Sequence, residues 1–284
     1  MKIIRRREAA LPVRPVRREV LAATPATALE PPPPAAPAGE RERPPLLLVP
    51  GFGGGAWMYA EHWLDHAAER GFRTYAMSLR GHGESGSAPR TTLRAYTHDV
   101  VQVAAGLPRQ AVLVGHGAGA LVVARALARY PARAAVLAAP VLGGLPALGR
   151  ALLRNPVGTL PAVAGGRLRL GRRQLFSREL PAATATGYAR RMTRAAPLAQ
   201  WQLLLHRTPE RPVGDPPVLV LGSPDDAVVP GSALERAARR YGGAPLLFPG
   251  MGHALMLDAR WREPVDAVLD WLDKLPADPA GRVS

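Results

Sequence analysis

The chain has no cysteine among its 284 residues, which removes disulfides, thiolate nucleophiles and zinc-thiolate sites and leaves the redox compartment undecided. Lysine is almost as scarce, at Lys2 and Lys274 only, so the net charge of +15 is an arginine charge. No uninterrupted apolar run reaches the length of a membrane span. The basic start, Met1 to Glu8, is not followed by a signal-length apolar segment, because Pro12, Arg14, Pro15, Arg17, Arg18 and Glu19 intervene. These absences give the expectation of a cytoplasmic, soluble protein. Nor is there a set of residues with metal-ligand spacing, and Gly51-Phe52-Gly53-Gly54-Gly55 lacks the lysine of a phosphate loop. No metal and no cofactor are therefore expected.

What is abundant is alanine, proline, glycine and arginine, a bias common where genomic GC content is high, and it argues against reading the charge as a nucleic-acid signature. Its distribution says more than its total. Between Val141 and Pro212 lie arginines 150, 154, 167, 169, 172, 173, 178, 190, 191, 194, 207 and 211, against Glu179 and Glu210, a net +10. That stretch is an electropositive surface suited to anionic ligands.

Residues 1–44 form a Pro/Arg-rich lead-in with the run Pro31 to Pro34, read as polyproline II or disorder with one edge strand around Val16 to Ala22. Short apolar strands follow at 46–49, 72–77, 111–114, 134–139, 218–221 and 246–248. They alternate with helices at 58–70, 92–105, 232–241 and 261–275. Such alternation means α/β: a mostly parallel, doubly wound sheet covered on both faces, with ligands bound at the C-terminal ends of the strands. Residues 45–140 and 213–276 make the core. Residues 141–212 make a helical insert broken by Pro156, Pro161, Pro181 and Pro197, and 277–284 a C-terminal tail.

Within this pattern the run Ala111-Val112-Leu113-Val114 breaks at Gly115-His116-Gly117-Ala118-Gly119 and restarts as a helix. Strand, sharp turn, helix is the shape of a nucleophile elbow, and it resembles the Gly-x-Ser-x-Gly motif of the α/β-hydrolase superfamily. Pro50-Gly51-Phe52-Gly53-Gly54 resembles the oxyanion loop of that superfamily. Arg80-Gly81-His82-Gly83-Glu84-Ser85 is similar to its Arg-Gly-His-Gly-x-Ser turn, and Gly250-Met251-Gly252-His253 to its histidine loop. The chain is identified as a member of the lipase and esterase-like branch, whose helical cap is inserted after the strand that follows the elbow. The nucleophile position holds Gly117.

The resemblance implies His253 as catalytic base and Asp226 as its orienting acid, with Asp225 the alternative. It also implies an oxyanion hole from the backbone N–H groups of Phe52 and Ala118. Pro50 stands where the superfamily has a histidine and lacks an N–H. His116 is read as packing, His82 and Ser85 as braces of a turn, and Ser78 and Ser223 as displaced nucleophiles without elbow context. Pocket candidates are Trp57, Met256, Phe176, Tyr188, Met192 and Trp201, with Arg172 and Arg173 for an anion.

Glycine cannot attack a carbonyl, so the acyl-enzyme route is excluded. The expected function is a His–Asp general-base enzyme acting without a covalent intermediate on a small apolar carbonyl compound, by elimination, cyclisation, isomerisation or cofactor-free oxygenation. Alternatives are a water-directed hydrolase of activated esters, lactones or thioesters, a non-catalytic binding member, and a serine esterase inactivated at position 117. The partner is a small molecule, with an anionic or carrier-bound acyl group among the candidates. Nucleic acid is not expected, and oligomeric state is left open.

Overall fold

The computed structural model describes residues 2–4, 18–25, 43–163, 170–193, 195–205 and 208–276. Among them eight strands form one sheet: β1 (Lys2–Ile4), β2 (Val20–Ala23), β3 (Leu46–Val49), β4 (Thr74–Met77), β5 (Val112–His116), β6 (Ala134–Ala138), β7 (Val218–Gly222) and β8 (Leu246–Leu247). Their order is β1-β2-β4-β3-β5-β6-β7-β8, parallel from β4 to β8, with β1 and β2 antiparallel at one edge.

Side-chain alternation sends each central strand into two cores. Leu46, Leu48, Val112 and Val114 face one side, where α1 (Trp57–Ala60), α2 (Trp63–Glu69) and α11 (Arg262–Asp273) cover them with Met58, Trp63, Leu64, Val268 and Leu269. Leu47, Val49 and Leu113 face the other, against α3 (Leu93–Ala105), α4 (Ala118–Ala126) and α10 (Gly231–Arg240), which supply Tyr96, Val100, Leu121 and Ala237. Burial on both faces is why these strands read as continuous apolar runs.

Between β6 and β7 the insert folds as α5 (Gly144–Arg154), α6 (Pro156–Val163), α7 (Arg172–Leu175), α8 (Ala182–Arg191) and α9 (Pro197–Leu205). Its prolines start helices more often than they break them. Pro156 and Pro197 are first residues and Pro181 is an N-cap, positions that need no backbone N–H, while Pro161 lies inside α6.

Two expectations change in detail. The helix expected over 58–70 is two helices, because His62 leaves helical geometry at φ −147° and ψ −59°. The edge strand runs Val20–Ala23 rather than 16–22, and β1 pairs with it in turn. The proline run at 31–34 and the C-terminal tail at 277–284 lie outside the described residues, as do Arg167, Arg169, Arg194 and Arg207.

Candidate active site

Strand β5 ends at His116, Gly117 turns the chain, and α4 begins at Ala118. Gly117 sits at φ 55° and ψ −122°, a conformation that would strain a residue with a side chain. It is held on both sides: its N–H donates to the Ala138 carbonyl at 3.0 Å, and its carbonyl accepts from Val141 N at 3.0 Å. Gly119 lets the 50-loop close in, since a Cβ there would lie 2.3 Å from the Pro50 carbonyl oxygen. A Cβ built on Gly117 points at His253 and would lie 3.1 Å from its Nε2.

His253 follows β8 in a loop that three contacts fix. Its carbonyl accepts from His116 Nε2 at 3.0 Å, Ala254 N donates to the Leu175 carbonyl at 2.8 Å, and Gly252 N donates to Asp258 Oδ2 at 2.6 Å. The imidazole Nδ1 lies 2.7 Å from Asp226 Oδ2, both side chains being buried. The second carboxylate oxygen of Asp226 accepts from Val228 N at 2.6 Å and Val229 N at 3.0 Å. An acceptor so fixed assigns the proton of His253 to Nδ1 and leaves the Nε2 lone pair toward Gly117. Asp225 turns elsewhere, its carboxylate taking the Gly250 N–H at 2.8 Å.

His116 stands under the site with its ring centroid 4.7 Å from that of His253. Burial, and then the neighbouring charge of His253, lower its pKa to about 3, so it is neutral and donates from Nε2. His82 is also buried, with Nδ1 at 3.2 Å from the Arg80 carbonyl, and desolvation lowers its pKa. Neither displaced-nucleophile candidate, Ser78 or Ser223, lines the cavity beside His253. Ser78 Oγ accepts from Ala56 N and donates to Glu19 Oε2, and Ser223 Oγ accepts from Asp225 N. Ser85 Oγ donates to the Ser78 carbonyl and so holds the turn.

A cavity of about 400 Å³ opens on these groups. Its floor is Gly51, Phe52, Gly54, His116, Ala118 and His253, and its walls are Ala147, Leu148 and Ala151 of α5, Met192, and Leu203 and Leu204 of α9. Polar lining beyond the two histidines comes from Thr193 and Gln200, and no Lys, Arg, Asp or Glu among the described residues lines it. Phe52 and Ala118 thus line one space with His253, and Ala118 opens a helix, where the dipole favours negative charge.

Of the six pocket candidates only Met192 lines the cavity. Met256 and Phe176 are buried in the core behind it. Trp57, Tyr188 and Phe176 pack on one another, with ring centroids 6.2 and 5.9 Å apart. The Arg191 guanidinium lies 4.0 Å over Trp57 and pairs with Glu61, which fastens α8 to α1. Trp201 faces outward, and Arg172 and Arg173 are exposed on α7 away from the cavity.

Two residues that sequence reading missed act on the loops. Asp258 ties the histidine loop to the insert, accepting from Ser177 Oγ at 2.5 Å and Ser177 N at 3.0 Å as well as from Gly252 N. Arg150 Nε donates to the Asp226 carbonyl at 2.9 Å. The signal for Asp258 was a single acid five residues past the histidine, and an arginine in an arginine-rich insert gives none.

The sequence profile described as the Alpha/beta hydrolase family matches residues 46–271. The chain belongs to that family. As an alpha/beta hydrolase it is similar in structure to a soluble variant of monoglyceride lipase from Saccharomyces cerevisiae, bound to a substrate analogue, at 14% identity and TM-score 0.68, covering 91% of this chain and 92% of that one. It is similar too to a thermophilic esterase from Thermogutta terrifontis, at 19% identity and TM-score 0.65, with 96% and 99% covered. A third is a serine-to-glycine mutant of N-acyl homoserine lactonase AidH complexed with N-hexanoyl homoserine lactone, at 18% identity and TM-score 0.68, with 96% and 97% covered. At these identities the likeness is one of fold. No curated protein matches the sequence. Among the described residues no helix is long and apolar enough to cross a membrane.

Proposed function

We propose that this alpha/beta hydrolase is a His–Asp general-base enzyme that acts without a covalent intermediate on a small, apolar, uncharged carbonyl compound. One observation carries the reading: the absent side chain of residue 117 points at His253 Nε2 from 3.1 Å, while Nδ1 is committed to Asp226 at 2.7 Å. The base is oriented, its free nitrogen faces the substrate space, and residue 117 offers no nucleophile to form an acyl-enzyme. His253 takes a proton from an acidic carbon, leaving an enolate, or from a water whose oxygen bonds to the carbonyl carbon, leaving a tetrahedral oxyanion. The amides of Phe52 and Ala118 hold the enolate or oxyanion that results, and the imidazolium returns the proton to product. Asp226 stabilises that imidazolium. The uncharged lining favours a neutral substrate over the anion suggested by the arginine count.

A second reading, water-directed hydrolysis of an activated ester or lactone, is favoured by the structural neighbours described as an esterase and as a lactonase mutant holding its lactone. It uses the same base and differs in what gives up the proton.

The test is a panel of enolisable ketones, β-substituted carbonyl compounds, short lactones and p-nitrophenyl esters, followed by variants on whichever turns over. His253→Ala is expected to lower kcat by about 10²- to 10⁴-fold, with no acyl adduct detected by mass spectrometry in the parent. Gly117→Ser, its Cβ tight against His253, is expected to gain a histidine-dependent burst with p-nitrophenyl esters. Turnover that survives His253→Ala would overturn the reading.

A further inference from the structure

Helix α9 carries apolar side chains on two opposite faces. Gln200, Leu203 and Leu204 face the cavity and Ala199 is buried, while Leu198, Trp201 and Leu205 recur at helical spacing on the opposite side, where Leu205 is 70% exposed. Helix α5 repeats the arrangement: Ala147, Leu148 and Ala151 point inward, and Leu145 and Leu153 outward, Leu153 at 87% exposure. Val157 at 85% and Leu160 add the neighbouring α6. Helix α5 packs against both α6 and α9, so the exposed side chains of the three helices adjoin on the outside of the insert. Apolar surface of this extent in a folded chain marks a place that something covers.

Arginines border it. Arg154 follows Leu153, and Arg172 and Arg173 begin α7, which Asn155 Nδ2 holds at the α5–α6 junction by donating to Gln174 Oε1 at 2.9 Å. All three arginines are exposed, and none is in an ion pair with another described residue.

We propose that this outer face of the insert docks on an anionic lipid bilayer. A second copy docked on this face would set Arg154, Arg172 and Arg173 against the same arginines of the other, and like charges oppose that contact. Leucine and valine side chains standing this far out of three helices, bordered by arginines unpaired among the described residues, fit a fluid acyl layer under anionic headgroups. A bilayer with anionic headgroups satisfies both features: the guanidiniums meet phosphates while Leu153, Val157, Trp201 and Leu205 enter the acyl boundary. The proposal stands apart from the catalytic reading, because it requires no turnover.

The experiment is co-sedimentation of the full chain with extruded vesicles of phosphatidylcholine alone and with about one-third phosphatidylglycerol. Binding is expected to be at least about tenfold tighter to the anionic vesicles and to weaken when salt rises from about 0.05 M to about 0.5 M. Arg172→Glu/Arg173→Glu should remove the anionic preference. Leu153→Glu/Val157→Glu should lower partition at least about tenfold, as should Leu205→Glu on a different helix. Arg109→Glu/Arg129→Glu removes the same charge at the opposite end of the sheet and should bind as the parent does. No binding at low salt, equal binding to both vesicles, equal loss in the Arg109/Arg129 variant, or a dimer in sedimentation equilibrium that Leu153→Glu dissolves would each overturn it.

Discussion

His116 is held almost wholly out of water, and its chemistry reaches beyond the site. Its ring is sealed between β5 and the histidine loop with Nε2 bonded to the His253 carbonyl, and its Nδ1 has no partner among the described residues. Burial, then the charge of His253, bring its pKa to about 3, whereas in the unfolded chain it titrates near 6.5. Between those values the unfolded state takes a proton that the folded state refuses. Stability therefore falls as pH drops through the window from 6.5 toward 3 and is insensitive to this group above it, with a slope up to about 1.4 kcal/mol per pH unit. The lowered pKa of buried His82 acts in the same direction. Urea unfolding at steps from pH 7 to pH 4 should show this decline, and His116→Gln should reduce the slope below pH 6 by about 1 kcal/mol per unit. An unchanged slope would mean that neutral burial of His116 is not its source.

At the scale of elements, the cavity is defined by small residues on two insert helices. Ala147 and Ala151 of α5 leave the volume that larger side chains would fill, and Leu203 and Leu204 of α9 close it. Ala151→Phe should therefore weaken binding of a neutral apolar probe, such as N-phenyl-1-naphthylamine, by about tenfold, the loss expected when a ring competes for the same buried surface. Equal affinity in a fluorescence titration would place the probe elsewhere. This is also where sequence reading ran short. The central strands were legible because Leu46 to Val49 and Val112 to Val114 are buried on both faces and so read as unbroken apolar runs. The elbow and the His253 loop were legible because glycines frame them in sequence. The cavity wall was not, since an aromatic in an insert carries no mark of the face it will take. Trp57, Phe176 and Tyr188 form a fastening cluster, and the lining is set by alanines whose role is to leave volume empty.

For the molecule as a whole, the N-terminal segment matters more than its proline-rich, arginine-rich composition suggests. The family match begins at residue 46, yet β2 lies antiparallel on β4 with Val20 to Ala23 all buried. Just before it, Glu19 Oε2 accepts from Ser78 Oγ at 2.6 Å and from Glu84 N at 2.9 Å, while Ser78 Oγ accepts from Ala56 N at 2.8 Å. One carboxylate thus links the edge strand to the turn after β4 and to the glycine loop that carries Phe52. Arg18, beside it, pairs with the fully buried Asp99, which also binds Arg80. A lone glutamate among arginines gives no such hint in sequence, because its partners are about sixty residues away. Removing residues 1–25 would forfeit the burial of Val20 and Leu21, worth about 1.5–3 kcal/mol each, and break hydrogen bonds to a charged group worth about 1.5–3 kcal/mol. It would also leave the edge of β4 unpaired, a template for association. The truncated chain is expected to lose on the order of 4–9 kcal/mol in urea unfolding and to associate in size-exclusion chromatography. A truncated protein that stays monomeric with unchanged stability would show that β4 is a sufficient edge and that the segment before residue 26 does not hold the glycine loop in place.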